Sequence, residues 1–528
     1  MTTLDWIVVV AYLVAMIGLA VVIARGQSDR SDYYLGGHRS GALPIALSTM
    51  ATQCSTNSIL GAPAFVAFTI GGGLLWLQYE LAVPLAMIGV MALLLPTFRG
   101  LGLISIYEFL ERRFGLATRL TLSLTFQFVR AFATGVTVYG IGLVLMVCLE
   151  TDFVTAVILL GVVTIAYDAI GGMRAVILSD VVQLVVLFGT ILIAIGVAVS
   201  LLGGLDAVMA SVPDARMQTL DFSRTGLGDG ADYAFWPMLF GGLFLYVSYY
   251  GCDQSQAQRL LASRDVADGN RALFYNGILR FPLVLAYCCL GLCIAALAAT
   301  DPGFVDRLPL RDDGAPNYNL AVPQFVFEQF PPGLVGLVMV GLFAAAMSSL
   351  DSVLNSLSAT TMEDLVRRLR KTPLEPRQEF LLAKLLTVAW GVITVTLAFY
   401  VEDIASSVLV AINKIGSLVN GPLLGVFLVG ILTRHVGQTA VLVGLASGFA
   451  VDLWLWLTQP GVSWLWWNVT GFAATVLVAL LWPRARPSSE LADETVALPG
   501  LERRWWPRYG VLIAWAGVIL AVMIVIGA

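Results

Sequence analysis

Residues 48–58 read Ser48-Thr49-Met50-Ala51-Thr52-Gln53-Cys54-Ser55-Thr56-Asn57-Ser58, and Gly61 and Pro63 follow at once. The stretch lies inside an apolar run near 43–70, and about twenty such residues suffice to cross a bilayer core. This many short polar side chains in a membrane helix cost stability unless they line a cavity or satisfy unwound backbone. The segment therefore predicts a helix interrupted within the membrane. The competing explanation is close helix packing through small residues.

A second apolar run, near 233–255, carries Tyr246, Ser248, Tyr249, Tyr250, Gly251, Asp253 and Gln254. It lies five spans after the first. Two five-helix halves, about 43–202 and about 233–432, then each begin with an interrupted helix, the pattern of inverted-repeat transporters. Further apolar runs near 5–25, 436–457, 462–483 and 508–527 are peripheral. The expectation is an all-α membrane protein of about fourteen transmembrane helices, with residues 1–528 forming one polytopic unit.

Composition agrees. Hydrophobic residues make up 58% of the chain and charged residues 12%, with a mean hydropathy of +0.85. A soluble domain of this length carries about twice that charge. The alternation of a membrane barrel is absent, so helices are the spanning element. The run from Trp6 to Ala24 has no small-residue cleavage site after it and reads as a retained span. The loops at 25–42, 99–119, 171–174, 256–271, 362–378, 433–435 and 484–508 hold most of the 30 basic residues, whereas the alternate loops hold Arg216, Arg224, Arg307 and Arg311. By the positive-inside rule the first set is cytoplasmic and both termini lie outside. No basic tract points to nucleic acid. The six cysteines fall in apolar segments without metal spacing, and both histidines, His38 and His435, lie in charged loops. No nucleophile–base motif suggests an enzyme. The expected partners are the bilayer, a small solute and a cation, with the chain acting as a monomer.

The ninth span reads Gly341-Leu-Phe-Ala-Ala345-Ala-Met-Ser348-Ser349-Leu-Asp351-Ser352-Val-Leu-Asn355-Ser356. At helical spacing Ala345, Ser348, Ser349, Ser352, Asn355 and Ser356 share a face, with Asp351 at its border. A hard alkali cation needs several oxygen ligands. An Ala345 carbonyl, two serine hydroxyls and carbonyls freed in span two can supply them. A packing face of back-bonded serines fits the same pattern, but a buried carboxylate at Asp351 is expensive without a partner or ion.

Asp180 lies six residues beyond Arg174, about 9 Å into its helix. It can ligate a second cation, carry a proton or snorkel to the interface. Glu80, Arg130 and Arg280 are also charges within apolar runs. Each arginine can bind an anionic solute bidentately, or neutralise Glu80 or Asp253. Lys414 can reach an interface, and Asp452 has no assigned role.

At these residues the chain resembles the sodium:solute symporter family, which includes sodium–glucose, monocarboxylate, iodide and sialic-acid transporters. The resemblance runs from about Tyr34 to Thr433. It rests on Gly-Gly-Met-Arg-Ala-Val-Ile-Leu-Ser-Asp-Val-Val-Gln at 171–183 and Tyr-Gly-Cys-Asp-Gln-Ser-Gln-Ala-Gln-Arg at 250–259. The ninth-span serines ending in Met-Glu-Asp-Leu and Gly-Pro-Leu-Leu-Gly-Val-Phe at 421–427 complete it. It implies a LeuT-like fold of inverted five-helix repeats and sodium-coupled solute import by alternating access.

The first sodium site implied comprises Ala51, Cys54, Ala345, Ser348 and Ser349. A second cation site would use Asp180, Asp351 and Ser352, and the carboxylate at Asp351 departs from the family's paired hydroxyls. For the solute, Tyr249 matches the gate tyrosine of the sugar transporters and Glu80 their sugar-binding glutamate. Arg280 replaces their lysine, and Asn413 or Lys414 falls on their glutamine. Gln53, Ser55 and Ser58 match solute positions of the first core helix. Arg130 matches the arginine that holds the carboxylate in sialic-acid transporters, and the stretch 241–246 ending at Tyr246 looks closer to the monocarboxylate and iodide branch. A small organic anion is the first expectation, a sugar or polyol the second, in a cell (inner or plasma) membrane. A channel or transporter-derived sensor is the alternative of another class.

Overall fold

The computed structural model describes residues 1–54, 56–311, 314–400, 405–483 and 499–527, with the side chains of residues 56, 57, 405–413, 415 and 499 left out. The described residues form helices and no strand. Ten helices among them are long and apolar enough to cross a membrane, and Ser58–Phe68 and Gly416–Leu432 are shorter apolar helices.

The run read as interrupted is interrupted. Helix α1 is Thr3–Ala24, α2 Ala42–Gln53 and α3 Thr56–Phe68, with Cys54 at the end of α2 outside helical geometry. Next come the helical run Gly73–Gly100 (α4), then α5 (Tyr107–Arg113) and α6 (Leu116–Leu149). The second interruption falls at Asp253, extended at φ −95° and ψ 121°, between α8 (Gly242–Cys252) and α9 (Gln254–Leu261). Asp253 caps α9, its Oδ1 accepting from the Ser255 backbone N–H at 2.8 Å.

Between them, Phe153–Leu201 (α7) runs for 49 residues. The expected loop at 171–174 is absent. Gly172 instead makes a single kink at φ 55° and ψ −164°, and Gly171, Gly172 and Met173 are buried. A Cβ on Gly172 would stand 2.7 Å from the Tyr33 carbonyl oxygen. Only glycine reaches that backbone region cheaply, so two membrane-length arms join without a loop.

Helices α10 (Val266–Thr300), α11 (Leu334–Thr360), α12 (Pro376–Tyr400), α13 (Ala405–Leu432), α14 (Gln438–Thr458), α15 (Trp464–Leu481) and α16 (Trp506–Gly527) complete the chain. Helix α11 packs along α7, which also carries α1 and α2, and α10 packs on α2 and α3. Helices α13, α14 and α15 form a tight three-helix unit.

Buried charge fixes the ends presented by the basic loops. Arg113, 2% exposed, donates to the carbonyls of Gly430 (3.1 Å) and Thr433 (2.7 Å), satisfying the last turn of α13. Arg119 pairs with Asp364 at 2.7 Å and with Glu111 at 2.7 Å.

Candidate functional site

A helix that stops at Gln53 leaves the carbonyls of its last four residues without intrahelical partners. The Met50 oxygen accepts from the Cys54 N–H at 2.9 Å. Ser348 Oγ of α11 lies 3.3 Å from the Ala51 oxygen, and Ser349 Oγ lies 3.5 Å from that of Thr52. Both hydroxyls are also near the Ala345 oxygen, at 3.2 and 3.1 Å. Ser58 Oγ approaches the Gln53 oxygen at 3.4 Å. Each serine has a single proton for two carbonyls, so the Ala51 and Thr52 oxygens have only long contacts, at 3.3 and 3.5 Å.

The structure thus brings Ala51, Ala345, Ser348 and Ser349 together. The carbonyl facing Ser349 is that of Thr52, and Cys54 lines the adjoining cavity. Ser348 is 1% exposed, whereas Ser349 is only half-buried. Carbonyl and hydroxyl oxygens converging from two helices are the donor set of an alkali-cation site, and these residues fit sodium.

Asp180, Asp351 and Ser352 also converge, around a residue with no role in the sequence reading. Arg259 of α9 is fully buried and pairs with Asp180 at 3.1 Å. It also donates to Ser48 Oγ at 2.8 Å and to Ser352 Oγ. Ser48 Oγ donates to Asp180 at 2.6 Å. Asp351 accepts from Ser352 at 2.9 Å and from the Tyr167 hydroxyl, and no cation pairs with it among the described residues. One turn further along α11, Asn355 Nδ2 donates to Asp168 Oδ1 at 3.3 Å. Asp168 is buried and its second oxygen has no partner among the described residues. Sequence reading missed Arg259, Tyr167 and Asp168. Arg259 closes a recognised motif and Asp168 adjoins the supposed loop at 171–174, so both looked interfacial.

The solute candidates divide into two clusters. Glu80 and Arg280 form a fork, with Arg280 Nε 2.8 Å from Oε2 and Nη2 3.1 Å from Oε1. Arg280 Nη2 also donates to the Tyr246 hydroxyl at 2.9 Å. Tyr250 donates to Gln53 and lies 3.0 Å from Asn276 Oδ1. A cavity of about 10 Å³, room for about one water, is lined by Met50, Gln53, Cys54, Arg280, Leu283, Val284 and Tyr287. The tyrosine touching the broken helix is Tyr250, while Tyr249 belongs elsewhere.

In the other cluster Arg130 donates to Asp253 Oδ2, from Nε at 2.6 Å, and stacks 5.3 Å over the Tyr249 ring. Gln256 donates to the Tyr249 hydroxyl at 2.9 Å. Each arginine thus has a carboxylate partner, Asp253 for Arg130 and Glu80 for Arg280. At Asp232, before α8, burial pushes the carboxyl up, and the charge of Lys414 partly offsets this. Ser55 and the Asn413 side chain lie outside the described residues. Asp452, without a role in the sequence, accepts from Thr470 at 2.8 Å between α14 and α15.

The family model for the sodium:solute symporter family matches residues 33–448. The human sodium/iodide cotransporter is 32% identical over 443 residues, covering 83% of this chain and 67% of that protein. The sodium/sialic acid symporter NanT of Aliivibrio fischeri (strain ATCC 700601 / ES114) is 29% identical over 486 residues, covering 91% and 92%. Human sodium-coupled monocarboxylate transporter 1 is 29% identical over 456 residues, covering 85% and 73%. Among solved structures, a substrate-bound outward-open Na+-coupled sialic acid symporter superposes with a TM-score of 0.81 at 23% identity, covering 92% of this chain and 99% of that one. Mhp1, a nucleobase-cation-symport-1 family transporter, superposes with a TM-score of 0.55 at 14% identity, covering 91% and 97%. These likenesses show a LeuT-like transporter fold. The chain is a multi-pass membrane transporter and not an enzyme, it couples a small solute to sodium, and it belongs to the sodium:solute symporter family.

Proposed function

We propose that the protein imports a small organic anion by alternating access, with one sodium ion held between the broken end of α2 and the serines of α11. The observation that carries this is the approach of Ser348 and Ser349 to the carbonyls freed at Ala51 and Thr52. Ala345 and Cys54 complete the ligand set. An ion there orders the α2–α3 junction and so favours the solute-binding form, a coupling typically worth about 1–3 kcal/mol. The repeats are about 43–202 and 233–432, within about fourteen spans. Both termini lie outside the cell membrane, and the chain works as a monomer.

The solute binds beside the cavity at Gln53, Ser58, Tyr246 and Arg280, its carboxylate taking Arg280 from Glu80. Relatives named as sialic acid and monocarboxylate carriers support this class. A second reading, a neutral polyhydroxylated solute, is favoured by the same Glu80–Arg280 pair, because a solute without charge leaves it balanced. Asp180, Asp351 and Ser352 form a second cation position in which Arg259 already supplies one positive charge.

Proteoliposomes with an imposed sodium gradient at fixed pH test the coupling. Equal uptake under a potassium gradient would sink it. Thermal-shift screening of carboxylates against sugars, with and without sodium, tests the solute class. Stabilisation by neutral sugars alone would overturn the anion reading.

A further inference from the structure

Helix α11 carries the serine pair, yet its own start has no side-chain cap. Gly333, at φ 90°, precedes the first helical residue and offers no acceptor. The acceptor comes from another helix. Asp5 of α1 is 1% exposed, and its Oδ1 accepts from the Gly333 N–H at 2.7 Å and the Gly336 N–H at 2.8 Å. Its Oδ2 accepts from the Thr2 backbone N–H at 2.8 Å and the Thr2 hydroxyl at 2.7 Å, closing the capping box of α1. One carboxylate therefore serves two helix starts, where the positive ends of both dipoles meet. Gly336 allows the approach: a Cβ there would lie 2.6 Å from Asp5 Cα.

The geometry has a consequence for the ion. Residues 345–349 follow 336 by two to four turns, about 14–20 Å along a helix at 1.5 Å per residue. Helix α11 is unbroken over that distance, so its first turn and the segment Ala345, Ser348 and Ser349 belong to one rod. The oxygen separations there are 3.1–3.5 Å, close to the limit of contact. A few tenths of an ångström decide whether the set converges. Along its remaining length α11 is packed on α7 and held through Tyr167–Asp351 and Asp168–Asn355. At the opposite end α1 packs on it, and Asp5 clasps its first turn.

We propose that Asp5 is a positioning residue for sodium binding, setting the height at which α11 presents Ser348 and Ser349 to the broken end of α2. The inference rests on those serines being sodium ligands. Its test is binding of radiolabelled sodium to the purified full chain, reading Kd and the number of sites separately. Asp5→Ala weakens binding about fivefold or more with the number of sites unchanged, and Asp5→Asn, which keeps an acceptor oxygen, about twofold to threefold. Thr2→Ala, which removes one bond to Oδ2 and leaves Oδ1 on the Gly333 and Gly336 N–H groups, stays within about twofold of the wild type.

A purely structural role would lower the number of sites and leave Kd alone, or would shift Thr2→Ala as much as Asp5→Ala. Either result overturns the assignment, as does a wild-type Kd in Asp5→Ala. If Asp5→Ala fails to fold, Asp5→Asn decides by the same measurement, a wild-type Kd overturning the assignment. Ser349→Ala is measured alongside. Loss of binding in Ser349→Ala with a wild-type Kd at Asp5 removes the Asp5 assignment only. Unchanged binding in Ser349→Ala removes the ligand reading itself and the inference with it.

Discussion

Replacing Arg259 by methionine removes the positive charge paired with Asp180 in the membrane interior. The two charges are 3.1 Å apart and both side chains are 0% exposed. Coulomb's law with an effective dielectric of about 20 gives about 5 kcal/mol for the attraction. Ser48 still donates to Asp180 in the variant, which returns part of this. Breaking one side of a buried pair typically costs about 3–5 kcal/mol, because the survivor stays buried and unpaired. An unfolding entropy of about 2.1 cal/mol/K per residue, over 528 residues, gives about 1.1 kcal/mol/K. Arg259→Met should then lower Tm by about 3–5 °C in detergent at fixed sodium, followed by tryptophan fluorescence. Asp180→Asn strands the guanidinium and should cost a similar amount. The double variant removes both charges and should lie within about 2 °C of the wild type, since neutral replacements of buried pairs are tolerated. If the single losses add, so that the double variant falls by about 7 °C or more, the two side chains do not act as a pair.

Ser348→Ala should raise the sodium concentration for half-maximal uptake more than Ser349→Ala, because Ser348 is 1% exposed and water replaces its hydroxyl less readily. A lost contact to a charged group costs about 1.5–3 kcal/mol, so shifts of about tenfold to a hundredfold are expected, and wild-type sodium curves would count against both ligands. Gly172→Ala should abolish monodisperse expression on size-exclusion chromatography, since its Cβ meets the Tyr33 carbonyl oxygen and its φ of 55° disfavours any side chain. At Glu111 burial pushes the carboxyl up, but hydrogen bonds and charge from Arg119 and Arg368 outweigh this and hold it below its ordinary value. Its stabilisation is therefore complete above the ordinary carboxylate range and is lost as pH falls through the depressed value. Glu111→Gln should flatten the loss of Tm that the wild type shows on acidification below about pH 4.5, and an unchanged acid limb would show that the contact carries no such stabilisation.

Much of the architecture was legible because the membrane enforces it. Apolar length marks the spans, and the polar run at 48–58 cannot be an ordinary lipid-facing helix, so the break at Cys54 followed from composition. Asp253 was legible in the same way. The supposed loop at 171–174 was not, because Gly-Gly with a nearby arginine reads equally as a turn or as a kink. Only the packing of Tyr33 against Gly172 decides between them. The ion region was half legible. Ser348, Ser349 and Asp351 stand out as polar groups on a buried helix, but the partners of Asp351 and Asp180 do not. Tyr167 and Arg259 lie 184 and 79 residues from the carboxylates they serve, and no helical period links such positions. Arg130 and Arg280 show the converse. Their presence in apolar runs announced a solute ligand or a pair with Glu80 or Asp253, and only the geometry assigned Asp253 to Arg130 and Glu80 to Arg280. Asp5 was hidden for another reason: near the beginning of a helix it looks like an ordinary local cap, which it also is.

The approach of serine hydroxyls to the Ala51 and Thr52 carbonyls has a kinetic meaning. In the proposed site a cation arriving at Ala51 and Thr52 would meet hydroxyls that can swing their protons toward the Ala345 carbonyl by rotation about a single bond. Arrival and departure would then be an exchange between two arrangements of the same atoms. Side-chain rotation takes picoseconds to nanoseconds in exposed residues, and collective helix motions take microseconds to milliseconds. The slow step of the cycle should therefore lie in the movement of whole helices, with the ion already equilibrated while they move.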